Sequence, residues 1–187
     1  TVGTLISITQ PDGSTWAYSN SKQVKERHAL YTTDPTCLAP GVIGADPQTL
    51  TMTHPSGAVG AFTLQSMIHG RTDVPQLCRS VGDKLVAIYP MYFGDRSIAS
   101  KTISGPGMAT ATWSYAYSTP TPSWAPCAAG CTPTKTVTVT DPRNVVTRHT
   151  FGTRYANNEG QVLQLDEGYS SGTAWRSTSY RYRSHMA

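Results

Sequence analysis

The chain has 187 residues, of which 14% are charged, and a net charge of +4. No run of eighteen apolar residues exists, which excludes a membrane-spanning helix, and the mild, scattered positive charge gives nucleic acid no footing. Glutamate occurs only at Glu26, Glu159 and Glu167 while Thr, Ser, Gly and Tyr abound, a composition that fits a secreted or surface β-protein of one large domain or two small ones.

Taken in order, Thr1–Ser19 reads as a hairpin: Leu5, Ile6 and Ile8, a Pro11-Asp12-Gly13 turn, then Trp16 and Tyr18. Ser21–Leu30 is the one stretch with helical composition, and a charged edge strand is its rival reading. Tyr31–Pro47 reads as a loop carrying Cys37. Thr49–His69 is a second hairpin, and Gly70–Asp83 a loop carrying Cys78. Leu85–Phe93 (LVAIYPMYF) is apolar at every position but one, which predicts a central strand covered on both faces, with a bulge or strand end at Pro90 because proline cannot donate to a ladder.

Lys101–Tyr117 is a third hairpin, with Trp113, Tyr115 and Tyr117 on one face by the period-two rule. The segment 119–133 is rich in proline and holds Cys127 and Cys131; it reads as a boundary, loop or hinge between 1–118 and 134–187 in what is expected to be one continuous β domain. Val137–Tyr155 is the clearest hairpin, because Thr136, Thr138 and Thr140 alternate with Val137 and Val139 ahead of an Asp141-Pro142-Arg143-Asn144 turn. Beyond it, Gln161–Leu165 and Thr173–Tyr182 flank an expected Asp166-Glu167-Gly168 turn. The chain begins at Thr1 without Met or an apolar leader, so it reads as a processed chain or an excised piece whose own export signal cannot be read.

One device recurs. Turns at Pro11, Pro55 and Pro106 are each followed seven residues later by an aromatic (Tyr18, Phe62, Trp113), and the turn at Pro142 is followed at that distance by His149, with Phe151 two residues on. The spacing is too irregular for a strict solenoid and fits a degenerate array of strand–turn–strand units. The segment Thr140-Asp141-Pro142-Arg143-Asn144-Val145-Val146-Thr147-Arg148-His149-Thr150-Phe151-Gly152 resembles a YD-repeat unit of the RHS family. It departs from that pattern at Asn144 (usually glycine), His149 (usually aromatic) and Gly152 (usually aspartate). His54-Pro55-Ser56-Gly57-Ala58 through His69-Gly70-Arg71-Thr72-Asp73-Val74-Pro75, and Asn158-Glu159-Gly160-Gln161-Val162-Leu163, resemble the segment that precedes the repeats in large RHS proteins of proteobacteria. Together these blocks cover about half of the chain. The resemblance implies a β-shell that encloses or carries a toxic C-terminal domain, of which this chain would be one wall section.

The four cysteines are even in number in a polar β chain, which suggests two disulfides and an oxidising compartment, extracellular or at the cell surface. Cys127 with Cys131 closes an easy local ring, and Cys37 with Cys78 joins two irregular stretches. A zinc site would want C-x-x-C spacing or paired histidines, and neither is present; free thiols are the remaining alternative.

No catalytic, phosphate-cradling or dinucleotide signature is present, so no enzyme activity, cofactor or metal is expected. The best polar constellation is His54 with His69, Arg71 and Asp73, which could bind an anion or exchange protons. Against it, a turn histidine commonly bonds its own backbone, and an Arg–Asp pair two residues apart is usually structural. Trp113, Tyr115 and Tyr117 could stack on a glycan if exposed, though such rows are more often core.

The expected fold is all-β, an antiparallel hairpin array forming a sandwich or a section of a YD-repeat shell. The expected role is structural and non-catalytic, with neighbouring β units of a larger protein, or identical chains, as partners through edge strands. A carbohydrate-binding surface module and a secreted hydrolase built on His54, His69, Arg71 and Asp73 are the alternatives.

Overall fold

In the computed structural model, residues 5–21, 31–32, 47–82, 84–119 and 121–183 are described. Among them every regular element is a strand, and all named strands pair antiparallel. Ten form one sheet in the order β1 (Ser7–Thr9), β2 (Thr15–Asn20), β4 (Gln48–Thr53), β5 (Val59–Gly70), β8 (Tyr92–Gly105), β9 (Met108–Tyr117), β10 (Thr134–Thr140), β11 (Val146–Gly152), β12 (Val162–Glu167) and β13 (Arg176–Ser179). The remaining three, β3 (Tyr31–Thr32), β7 (Lys84–Ala87) and β6 (Cys78–Val81), form a small second sheet in that order.

The four expected hairpins are present, and their tight turns share one end of the large sheet. Three have the same construction. In Gln10–Ser14, His54–Ala58 and Asp141–Val145, the first amide bonds the last carbonyl, and the fourth amide bonds the first carbonyl at 2.9 Å. The fourth residue takes a left-handed backbone, with φ of 82° at Gly13, 84° at Gly57 and 62° at Asn144. This is the three-residue hairpin loop, a turn followed by one residue of positive φ. The β8–β9 turn is shorter, with Pro106 presetting φ and Gly107 at φ 71°.

Register sorts the side chains into two sets, because residues directly opposite one another share a face. One set runs Ile8 with Trp16, Tyr18 with Met52, Leu50 with Phe62, Phe62 with Lys101 and Lys101 with Trp113, continuing through Tyr115 with Val139, Val137 with His149 and His149 with Leu165. The other set is hydroxyl-rich: Thr9 with Thr15, Ser19 with Thr51, Thr63 with Ser100, Thr102 with Thr112, Ser114 with Thr140 and Thr136 with Thr150. The four residues seven places after the turn prolines, Tyr18, Phe62, Trp113 and His149, all fall on the first face. Several hydroxyls on the second bond across strands, as Thr9 with Thr15 at 3.1 Å and Thr102 with Thr112 at 3.2 Å.

The opposite end of the sheet carries the long connections. Residues 71–74 run through its centre, flanked in parallel by 123–125 and 153–155: Thr72 donates to Thr153 O, Tyr155 to Thr72 O, Ser123 to Arg71 O and Ala125 to Val74 O. Here lie Thr72, Val74, Met91 and Thr153, which with Asp166 and three glycines are the buried residues among those described. The proline-rich stretch therefore acts as a clasp, and it does not interrupt the sheet, since β9 and β10 pair directly across it. Within the clasp Cys127 and Cys131 are joined by a disulfide, with Cα atoms 5.8 Å apart.

Several expectations need correction. Leu85–Phe93 is not one doubly covered strand: β7 ends at Ala87, Ile88 is 45% exposed, and β8 begins at Tyr92. Pro90 marks the break, as its missing donor predicts. The loop expected over Gly70–Asp83 contains β6. Asp166-Glu167 lies inside β12, and the connection to β13 tightens only at Ser170–Thr173, whose two ends exchange backbone bonds of 2.9 Å. Cys78 is disulfide-bonded; its expected partner Cys37, and the helix-or-strand reading of residues 22–30, lie outside the described residues.

Candidate functional site

At the loop end of β5 the sequence turns from strand to clasp, and this places His69 and Arg71 beside the aromatic face. Phe93 of β8 is the register partner of His69, with ring centroids 5.2 Å apart, and Tyr117 of β9 stands 6.1 Å from the same imidazole. His69 Nε2 and Ser97 Oγ are hydrogen-bonded at 2.9 Å. The Arg71 guanidinium stacks 4.6 Å from the Phe93 ring centre, and its Nε donates to Glu159 at 2.6 Å. The Lys135 ammonium lies 5.5 Å from that ring centre. An imidazole and two cationic side chains thus converge on one phenyl ring.

Electrostatics follow from that crowding. Burial, then the charge of Lys135, pushes the His69 pKa below its ordinary value, which favours neutral imidazole. Burial also lowers the Lys135 pKa, with Glu159 opposing and Arg71 reinforcing the shift. The Tyr117 hydroxyl, which donates to Ile98 O at 2.8 Å, is pushed up by burial. Beside the cluster a small cleft opens between His69, Lys135, Thr121 and Thr153, with room for about one water molecule.

The sequence constellation is only partly assembled. His54 lies at the turn end, beyond the other end of the twelve-residue β5, some 35 Å along the strand from His69. Its Nδ1 accepts the Ser56 amide at 3.0 Å, and its ring meets Trp16 edge-on at 4.6 Å. Asp73 takes φ 61° and accepts the Cys127 amide at 3.1 Å, so it fastens the disulfide loop. Among the described residues no carboxylate lies within ion-pair reach of His69, so the Ser97–His69 pair lacks the orienting acid of a hydrolytic triad. No group of three His, Cys, Asp or Glu side chains positioned for a metal occurs among the described residues.

Trp113, Tyr115 and Tyr117 do form a row on one face, each half-buried between exposed neighbours. The row is not bare, since Lys101 Nζ sits 3.9 Å from the centre of the Trp113 ring. A sugar stacking on that side of Trp113 would have to displace the ammonium.

Sequence reasoning missed Phe93, Ser97, Lys135 and Glu159, whose proximity depends on pairing across distant strands. It also missed a second network on the hydroxyl face. Arg148 donates to Asp166 Oδ2 through Nε at 3.0 Å and Nη2 at 2.7 Å, and through Nη1 to the Tyr169 hydroxyl at 2.8 Å. Gln164 (2.7 Å) and Ser177 donate to Asp166 Oδ1. These bonds, Ser177 and Gln164 ahead of Arg148, hold the carboxyl at about 2. The signal was available: Arg148 and Asp166 both sit at hydroxyl-face positions, where an unpaired charge would otherwise stand alone.

No family model matches the chain, and neither the curated proteins nor the solved structures contain a match.

Proposed function

We propose that the chain is a non-catalytic wall section of a secreted or cell-surface protein of the RHS/YD-repeat type, joined to its neighbours by edge-strand pairing. The observation that carries this reading is the open sheet: ten strands in one layer, ending on β1 and β13 with no strand beyond either among the described residues. An unpaired edge is a template for another strand. The recurrent turn with its aromatic seven residues on, repeated along one end and one face, is the organisation of a repeat-built wall. The Cys127–Cys131 disulfide supports an oxidising compartment.

Hydrogen-bond direction identifies the outward groups. Tyr180 N donates inward to Leu163 O, so by alternation Ser179 N points away from the sheet. On β1 the Ile6 carbonyl accepts from Tyr18, which leaves the amides of Ser7 and Thr9 outward. Sedimentation of the chain is expected to reveal edge-paired oligomers that Ser179→Pro weakens without unfolding the protein. A wild-type chain whose association is indifferent to Ser179→Pro and Thr9→Pro refutes edge pairing.

A further inference from the structure

The two faces of the large sheet differ in kind, and neither is deeply covered. Strand backbones approach one another closely only between hydrogen-bonded neighbours, and among the described residues of the ten strands only Gly70, Gly152 and Asp166 are buried. The hydroxyl face suits solvent, as one face of an antiparallel sheet commonly does. The other carries Tyr18, Phe62, Trp113, Tyr115, Val139 and Leu165, all only half-buried, and towards the edges Ile6 is 71% exposed and Tyr182 50%. Soluble monomers rarely leave a continuous apolar surface of more than a few hundred Å² open to water, and an apolar sheet face is stable only against another layer.

We infer that this face is the interface between two copies of the chain, packed sheet on sheet as a two-layer sandwich with the hydroxyl faces outward. Area supports the assignment. Ten strands about 4.8 Å apart, each presenting about six residues at roughly 3.4 Å, make a face of about 900 Å², close to the roughly 800 Å² per partner of a stable interface. Charge identifies the chemistry of the occupant. Lys101 is placed over Trp113, Arg71 is paired with Glu159, and Arg176 lies 3.5 Å from Glu167. The cations of this face are largely engaged within it, so it has little free field for an anionic polymer and calls for an apolar partner. A second copy presents such a surface with the same twist, and two-fold pairing is self-complementary and closes. This interface is independent of edge pairing, which uses backbone groups at β1 and β13.

The test is sedimentation equilibrium of the whole chain with a matched pair of neighbouring substitutions. Val139→Lys places a charge on the apolar face, and Thr138→Lys places the same charge on the hydroxyl face of the same strand. The wild type is expected to be dimeric at about 100 μM, Thr138→Lys to remain so, and Val139→Lys to weaken the dimer at least about tenfold. Should Val139→Lys fail to fold, radical footprinting of the wild type decides: Trp113 and Tyr115 become protected as concentration rises through the dimer transition. A monomer with native circular dichroism at that concentration overturns the inference. So does a dimer that Ser179→Pro dissolves and Val139→Lys does not, or one in which both rings remain freely labelled. The first of these also removes edge pairing, and the second leaves it standing.

Discussion

The two ends of the large sheet solve the same problem, joining antiparallel strands, by different physics. At the turn end each tight turn is closed by its own residues: a proline and one left-handed residue, joined in three of the four by a side chain that accepts a nearby amide. Asp141 Oδ1 accepts the amides of Arg143 and Val145 at 2.8 Å each, and Asp12 Oδ1 accepts Ser14 N at 2.9 Å. At the loop end the connections are closed by one another, through the parallel clasp of 71–74 between 123–125 and 153–155. The turn end consequently owes its form to local chemistry, and the loop end to packing among segments distant in sequence, as in the Thr72–Thr153 hydroxyl pair at 3.1 Å.

Substitutions that add one methyl group should expose this difference most strongly. At Gly152 a Cβ would run into the side chain and the backbone carbonyl of Asn158, in a position fixed from both sides by Gly152 N bonding Gln161 O and Gly160 N bonding Gly152 O. Gly152→Ala is expected to cost about 3 kcal/mol, since backbone cannot yield as a flexible side chain does. At Gly13, by contrast, an added Cβ meets nothing within 4 Å, and only the φ of 82° opposes it. Gly13→Ala should cost about 1 kcal/mol. Urea titrations of both variants check the ordering; equal costs would show that the loop end is no more tightly determined than the turns.

The Arg148–Asp166 network sharpens the contrast from a third position, because it staples β11 and β12 between the two ends. Asp166 is 2% exposed, yet it is covered by its own partners in a sheet one layer thick. Its folded pKa of about 2 lies below the ordinary carboxylate value, so its stabilisation is complete above about pH 5 and is lost as pH falls through the folded value. With screening allowed for, that contribution is about 1–2 kcal/mol. Asp166→Asn should remove most of this acid-dependent slope between about pH 4 and pH 2. Denaturation midpoints measured across that range decide; an unchanged slope would assign acid sensitivity elsewhere.

Legibility in the sequence follows the same division. Period-two alternation and turn chemistry gave the hairpins around Pro11, Pro55, Pro106 and Pro142, because each depends on residues within a few places of one another. The row Trp113, Tyr115, Tyr117 was visible for the same reason. The cluster around Phe93 was not, since His69, Ser97 and Lys135 meet only through the pairing of β5 with β8 and the placing of β10 one strand beyond, across β9. The reading of Asp166-Glu167 as a turn failed because two adjacent acids before a glycine are good turn chemistry. Cross-strand pairing with Arg148 overrode that preference, and Gly168 remains glycine because it has φ 62° and the Trp175 ring lies against it.

The smallest expected effect tests the recurrence of the turn itself. Asn144 occupies the left-handed position that Gly13 and Gly57 occupy in the other two three-residue turns, and its φ of 62° is one that asparagine tolerates and glycine adopts freely. Its amide bonds Asp141 O at 2.9 Å, a backbone contact that any residue other than proline can make. The surrounding turn is held by the Asp141 carboxylate, whose pKa is lowered first by the Val145 amide. Asn144→Gly therefore removes mild backbone strain while slightly enlarging the freedom of the unfolded chain. The two effects oppose each other and should leave stability within about 0.5 kcal/mol of wild type, on the favourable side if strain dominates. Asn144→Ala, which keeps the strain and loses the tolerance, should instead cost about 1 kcal/mol. Clear destabilisation by glycine would mean that the asparagine side chain has a role in this turn that the other two turns do without, and the equivalence of the three would fail.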